Sequence, residues 1–391
     1  MPVNVQSLLE DICTRIASRV DREKVERARH RHAAVMDGRK TDYLPIVVEA
    51  ALPELAGMPT FDWNERFHEP DKSLCEQLKT VLVRASADGD AMLSVRPDLG
   101  TINCQSVFGV KFAVPEHTRT VVTEYASKEA ILEFAVPEDI SGQGVMPRMV
   151  EHLQHHMAVL RRFGLSDVVS VYHCDQQGPF DIAAMTRGHD IFLDMYEDPD
   201  FVHSLMEKCT DVYMKVSRLC KKLNGENDGA GDASGVWMSR GAVRMCGDSD
   251  ILVSADLYRQ FIQPYQAKAF RELGGGWLHY CGGEPGYSKA EGLHLHEAYS
   301  EIEGLKGLNW TTAGDWASEI RKLRKLGLVY IGGFHRENGE SLDAYYRRLL
   351  SALDSRDGLI FGHAWGSGPT LREDEYRIAA EVWRKVQDEI F

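Results

Sequence analysis

Leu305-Lys306-Gly307-Leu308-Asn309-Trp310 and Leu328-Val329-Tyr330-Ile331-Gly332-Gly333-Phe334 are two short apolar runs. Residues 316–326, between them, read as a helix, and so do residues 342–353 before a third run at 359–365. Apolar runs of this length alternating with amphipathic helices are the signature of parallel strands joined by helical crossovers. Working outward, further runs fall at 43–49, 91–99, 168–175, 243–248 and 277–281. The connecting segments carry helix signals of their own. Asp198-Pro199 is an N-cap and first-turn pair ahead of Phe201, Val202, Leu205, Met206, Cys209, Val212, Tyr213 and Val216, the spacing of one buried face. Ser254 caps a helix carrying Leu257, Phe261, Ile262 and Tyr265, and Pro264 is placed to kink it. Eight candidate strands with helical connections predict a (β/α)8 TIM barrel over residues 41–391. Residues 1–40, with Leu8, Leu9, Ile12 and Ile16 on one face, predict an N-terminal helical extension. The rival is a doubly wound open sheet, which the lack of a Gly-rich fingerprint after the first strand disfavours.

Bulk properties narrow the function classes. The 391 residues are 43% hydrophobic and 27% charged, with a net charge of -14 and no basic block. A nucleic-acid partner is therefore not expected. No apolar span reaches membrane length and the first residues carry no signal-peptide pattern, so a cytoplasmic setting without a membrane is expected. Eight scattered cysteines, mostly in apolar-periodic segments, do not form a disulfide framework and fit a reducing compartment. The polar helical N-terminus suits a homodimer arm.

In a barrel the chemistry collects at the carboxyl ends of the strands. Those ends carry Glu49, Asp98, His173 with Asp175, Gln176 and Gln177, then Cys246 with Asp248, His279 with Cys281, Asn309 with Trp310, His335, and His363 with Trp365. His279 and Cys281 stand out. Side chains alternate along a strand, so this imidazole and thiol point the same way while Tyr280 points opposite. An imidazole and a thiolate together suit zinc, with an open position for substrate. The bland reading is a buried Cys beside a hydrogen-bonded core His. Each other position has its own bland reading. Glu49 and Asp98 cap the segments after them, the Asp175-Gln176-Gln177 turn serves its own backbone, Cys246 is a packed small residue, and His335 is solvated. His363, ahead of a Gly-rich turn, is the candidate third metal ligand, although the fifth and eighth strands lie across a barrel mouth from one another.

Several passages match a known family in order and spacing. They are Arg31-His32-Ala33-Ala34-Val35-Met36-Asp37-Gly38, Gly178-Pro179-Phe180-Asp181-Ile182-Ala183, Met195-Tyr196-Glu197-Asp198-Pro199, Phe261-Ile262-Gln263-Pro264-Tyr265 and Leu278-His279-Tyr280-Cys281-Gly282. From about Glu26 onward the chain resembles the uroporphyrinogen decarboxylase superfamily, in particular its cobalamin-dependent methyltransferases. The resemblance implies the (β/α)8 fold. For the methyltransferase branch it implies zinc held by a His-x-Cys pair, here His279 and Cys281, and by a later Cys. That Cys is missing, its place falling near Trp365, so His363, or an acid such as Glu49 or Asp248, would complete the set. For the decarboxylase branch it implies a central Asp, here Asp98, and an Arg-rich loop that is absent after Pro45.

The expected function is thus a zinc-dependent methyltransferase moving a methyl group between a corrinoid protein and a small donor or acceptor. Methylcobalamin would arrive on that partner, since the chain has no Asp-x-His-x-x-Gly signature. Asp98, Asp248 and Glu49 are the expected catalytic acids, and Asp175, Gln177, Asn309, Trp310 and His335 the expected substrate contacts. The alternative enzyme is a metal-independent decarboxylase of a smaller carboxylic acid. The non-enzymatic alternative is a corrinoid- or tetrapyrrole-binding accessory protein.

Overall fold

A computed structural model describes residues 4–50, 52–226, 229–282, 292–310, 316–366 and 371–391, with side chains omitted at 364–366. Each of the eight apolar runs contains a strand: β1 Ile46–Val47, β2 Ser94–Val95, β3 Ser170–Val171, β4 Val243–Cys246, β5 Gly276–His279, β6 Leu305–Asn309, β7 Val329–Gly333 and β8 Leu359–Gly366. All of their pairings are parallel. Six form one sheet in the order β1-β8-β7-β6-β5-β4, and β2 pairs with β3 in a second.

The expected continuous eight-stranded ladder is not formed among the described residues. Where β1 would meet β2, the Asp90 carboxylate accepts the Ile46 N–H at 3.2 Å, and the Asp90 N–H donates back to the Ile46 carbonyl at 2.7 Å. A side chain and a turn thus satisfy backbone groups that a neighbouring strand would otherwise pair. Between β3 and β4 the link is a single parallel bridge, Gln177 to Cys246, in which the Gly178 N–H donates to the Cys246 carbonyl at 2.8 Å. The supported architecture is an α/β fold around a six-stranded parallel sheet.

Register sorts the side chains into two layers. Arg244 pairs with Trp277, Cys246 with His279, and His279 with Asn309. Side chains level with one another on neighbouring strands share a face, so one face carries Arg244, Cys246, Trp277, His279 and Asn309. The opposite face carries Met245, Leu278 and Leu308, all fully buried. On β8 the same alternation puts Phe361 and His363 together, and Phe361 stacks on Trp383 of the Glu373–Ile390 helix at 5.1 Å.

The helices follow their end signals. The Asp198 carboxylate caps the Phe201 N–H at 3.1 Å, and the helix Pro199–Asn224 ends at Gly225, whose φ of 84° is cheap only for glycine. Ala255–Phe261 and Gln263–Leu273 are two helices broken at Ile262, next to Pro264. The N-terminal residues form helices Val5–Arg19 and Arg22–Met36, whose buried Leu9, Ile12, Ile16, Val25 and Val35 join the same hydrophobic core as the strands. A hairpin of Lys111–Ala113 and Val121–Glu124 is inserted after β2. No helix of the described residues is long and apolar enough to cross a membrane.

Candidate functional site

At the carboxyl ends of β4 and β5 a thiol, a carboxylate and an imidazole converge. Ligand atoms of Cys246, Asp248 and His279 all lie within 4.8 Å of one another. The His279 Nε2 is 3.2 Å from the Cys281 Sγ, and the Asp248 Oδ1 accepts the Cys281 N–H at 2.6 Å. Cys281 therefore sits against the cluster, its backbone tied to one member and its thiol to another. Adjacent strands bring these groups together, because the Cys246↔His279 register sets the two residues level.

The imidazole is prepared for ligation. The Asn309 Nδ2 donates to the Ile331 carbonyl, so its Oδ1 faces the His279 Nδ1, 2.5 Å away. That oxygen can only accept, so Nδ1 carries the proton and Nε2 keeps its lone pair. Burial, reinforced by the Arg244 guanidinium, lowers the His279 pKa to about 4, which keeps the ring neutral near pH 7. A neutral imidazole braced by a second group is the arrangement metal-ligating histidines use. Cys246 is fully buried, and burial followed by the Asp248 charge holds its thiol well above the ordinary range. A bound cation would reverse that preference. One nitrogen, one oxygen and one or two sulfurs suit zinc.

Asp181 braces Asp248 from behind. Its carboxylate accepts the Asp248 N–H at 3.0 Å and the Ser249 N–H at 2.7 Å, and burial plus the Asp248 charge raise its pKa to about 7. Beside this cluster lies a network of arginines. The Arg244 Nη1 meets the Asp175 Oδ1 at 2.8 Å, and the Arg96 Nη2 reaches both Asp175 at 3.2 Å and Asp98 at 3.3 Å. The Arg66 Nη2 meets Asp98 at 2.8 Å, and Arg119, from the hairpin loop, lies 3.9 Å from Asp175. Burial alone would raise the Asp175 pKa, but Arg96, Arg244 and Arg119 outweigh it and hold the carboxyl well below the usual range.

The sequence-derived candidates divide accordingly. His279, Cys281 and Asp248 come together, Asn309 orients His279, and Asp98 and Asp175 are locked among arginines. Gln177 is buried at the β3–β4 bridge. Four other candidates have different surroundings. His363 shares a face with Phe361, and its Nε2 meets the Tyr346 hydroxyl at 2.7 Å, so it packs into the helical layer away from His279. Trp310 is one residue out of phase with Asn309. It is buried among Tyr280, His296 and Tyr330 on the helical side, unavailable as a substrate contact. Glu49 is engaged by Arg84, whose Nε donates at 2.6 Å. His335 is exposed, beyond the end of β7.

Sequence reading passed over Cys246 as a packed residue and missed the four arginines. The available signal was parity, since Arg244 and Cys246 lie two apart on one strand. Gly283, residues 367–369 of the Gly-rich turn and the Trp365 side chain lie outside the described residues and side chains.

No family model matches the chain, and no curated protein matches it. Among solved structures, a methyltransferase from Methanosarcina mazei superposes with a TM-score of 0.64, covering 92% of this chain and 98% of that chain at 14% identity. At that identity the likeness is one of fold, and it extends over nearly the whole of both chains.

Proposed function

We propose that this chain is a zinc-dependent methyltransferase that moves a methyl group between a corrinoid protein and a small substrate, on a scaffold of the (β/α)8 kind. The observation that carries the reading is the convergence of Cys246, Asp248 and His279 at neighbouring strand ends, with Cys281 against them. The fold likeness to a methyltransferase supports it by analogy alone.

Zinc bound there would favour the thiolate of a substrate thiol, or act as a Lewis acid toward a methylated heteroatom, at an open position. His279 and Cys281, the pair implied by the family resemblance, would hold it together with Asp248 or Cys246, three protein ligands that leave the fourth position open. Asp248 is one of the acids expected as an alternative to His363, whereas Cys246 was not expected as a ligand. Asn309 keeps the His279 Nε2 aimed at the ion, and Asp181 holds the Asp248–Ser249 backbone so that the Asp248 carboxylate stays aligned. The methyl-bearing corrinoid would be delivered by a separate protein at the strand-end face. The decarboxylase alternative needs an Asp98 open toward a substrate, and Asp98 is instead engaged by Arg66 and Arg96.

Metal analysis of the purified chain tests the reading. We expect about one zinc per chain, lost from a Cys246→Ser, His279→Ala double variant that still folds. A wild-type protein that stays metal-free after incubation with zinc and retains a full complement of titratable thiols would sink it.

A further inference from the structure

A groove of about 340 Å³ opens beside the cluster, between the hairpin and the segments that come after β3 and β4. Its walls are mainly apolar: Val121, Val122, Tyr125, Met185, Phe192 and Leu252. Val121, Tyr125 and Leu252 are about half exposed or more, as are Leu193 and Tyr196 on the helix that also carries Phe192. Three of the large exposed apolar side chains among the described residues thus line one opening, and two more lie on the helix that carries Phe192, whereas scattered single residues are the ordinary condition of a surface.

Both ends of the groove touch the chemistry already described. Ser249 lines it and is the chain neighbour of Asp248, with both N–H groups held by Asp181. Thr120 lines it too, its hydroxyl donating to the Leu99 carbonyl next to Asp98. The preceding residue, Arg119, is 55% exposed, with its guanidinium 5.5 Å from the Trp63 ring and only loosely engaged, at 3.9 Å, by Asp175. Arg66 stacks on the same ring at 4.0 Å and has a buried Nε with no partner. Among the described residues, the carboxylates in direct contact with Arg66, Arg96, Arg119 and Arg244 are Asp98 and Asp175. Asp248, which also acts on Arg244, still leaves cations in excess, four to three. An excess of guanidinium charge whose exposed member, Arg119, directly precedes the groove-lining Thr120 suits a ligand with an apolar body and one anionic end.

We propose that the groove binds a small amphipathic acid, its aromatic or branched aliphatic body against Val122, Met185 and Phe192 and its carboxylate on Arg119. This names the substrate class of the methyl-transfer reading and rests on that reading only for what becomes of the ligand, not for its binding. The site is built from the inserted hairpin and from the segments after β3 and β4, none of them part of the main sheet.

Calorimetric titration with phenylacetate and with the isosteric phenylacetamide, on protein whose zinc content is measured in parallel, tests it. The acid should bind about tenfold or more tighter than the amide, the worth of one charge-assisted contact. Arg119→Ala should erase that preference and Arg119→Lys should keep part of it. Leu252→Glu, at a site 60% exposed, should weaken the acid by placing a like charge at the groove. Equal affinities for acid and amide, or a preference that survives Arg119→Ala, would overturn the proposal. A preference unmoved by Leu252→Glu would overturn the groove as its location. Zinc content reports on the methyl-transfer reading separately, so either reading can fail while the other stands.

Discussion

The His279 imidazole is locked in one tautomer by Asn309 on the neighbouring strand, because the Asn309 amide nitrogen is already spent on the Ile331 carbonyl. Asn309 was expected from the sequence to touch substrate, and under the proposed reading it would also act as a positioning residue, through the lone pair it leaves on Nε2.

Asn309→Leu should therefore weaken zinc binding by about 10- to 100-fold, the usual worth of such a brace, while the protein stays folded. Competition against a chromogenic chelator measures it. His363→Gln should leave zinc affinity unchanged, since His363 packs against Tyr346 and Phe361 instead.

Arg244→Met should be among the more damaging single changes. It strips Asp175 of its closest cation at 2.8 Å and leaves a buried carboxylate short of compensation, a loss of roughly 3–5 kcal/mol. Replacing both partners, as Arg244→Met with Asp175→Leu, should recover part of that loss. Urea midpoints for the two singles and the double give the coupling directly.

Gly178→Ala should separate β3 from β4. A Cβ there would lie 2.3 Å from the Cys246 carbonyl oxygen, which is backbone and has no rotamer to yield. We expect a cost of about 1–3 kcal/mol together with weakened zinc binding, because the strand that must shift carries Cys246. Thermal unfolding and metal content on the same sample check both halves.

His152 predicts an acid sensitivity. It is fully buried on the Met146–Arg162 helix, neither ring nitrogen has a partner, and burial, then Arg148, lowers its pKa to about 4. In the unfolded chain the ring titrates near an ordinary ~6.5. Between those values the unfolded state holds the extra proton, so stability falls as pH drops from about 6.5 to about 4 and is flat above. His152→Leu should raise stability at pH 7 by removing an unsatisfied polar group, by about 1–3 kcal/mol, and by more at pH 5. Equal gains at both pH values would show that the ring titrates in the fold as it does in the unfolded chain.

Local spacing was enough for much of this protein. The eight apolar runs each hold a strand, the Asp198-Pro199 and Ser254 signals start helices, and Pro264 lies at a break. Period-two alternation placed His279 and Cys281 on one side of a strand end, since that geometry depends on residues two apart and on nothing distant. What only the tertiary structure decided is which strand lies beside which, and in what register. That put Cys246 and Asp248 next to His279, turned His363 toward Tyr346, and left the ladder interrupted at Asp90 and at Gln177. It also gathered Arg66, Arg96, Arg119 and Arg244 from four separate segments around two carboxylates. Such meetings join residues tens to more than a hundred positions apart. No local periodicity encodes them, because a one-residue change of register would send every side chain of a strand to the other face.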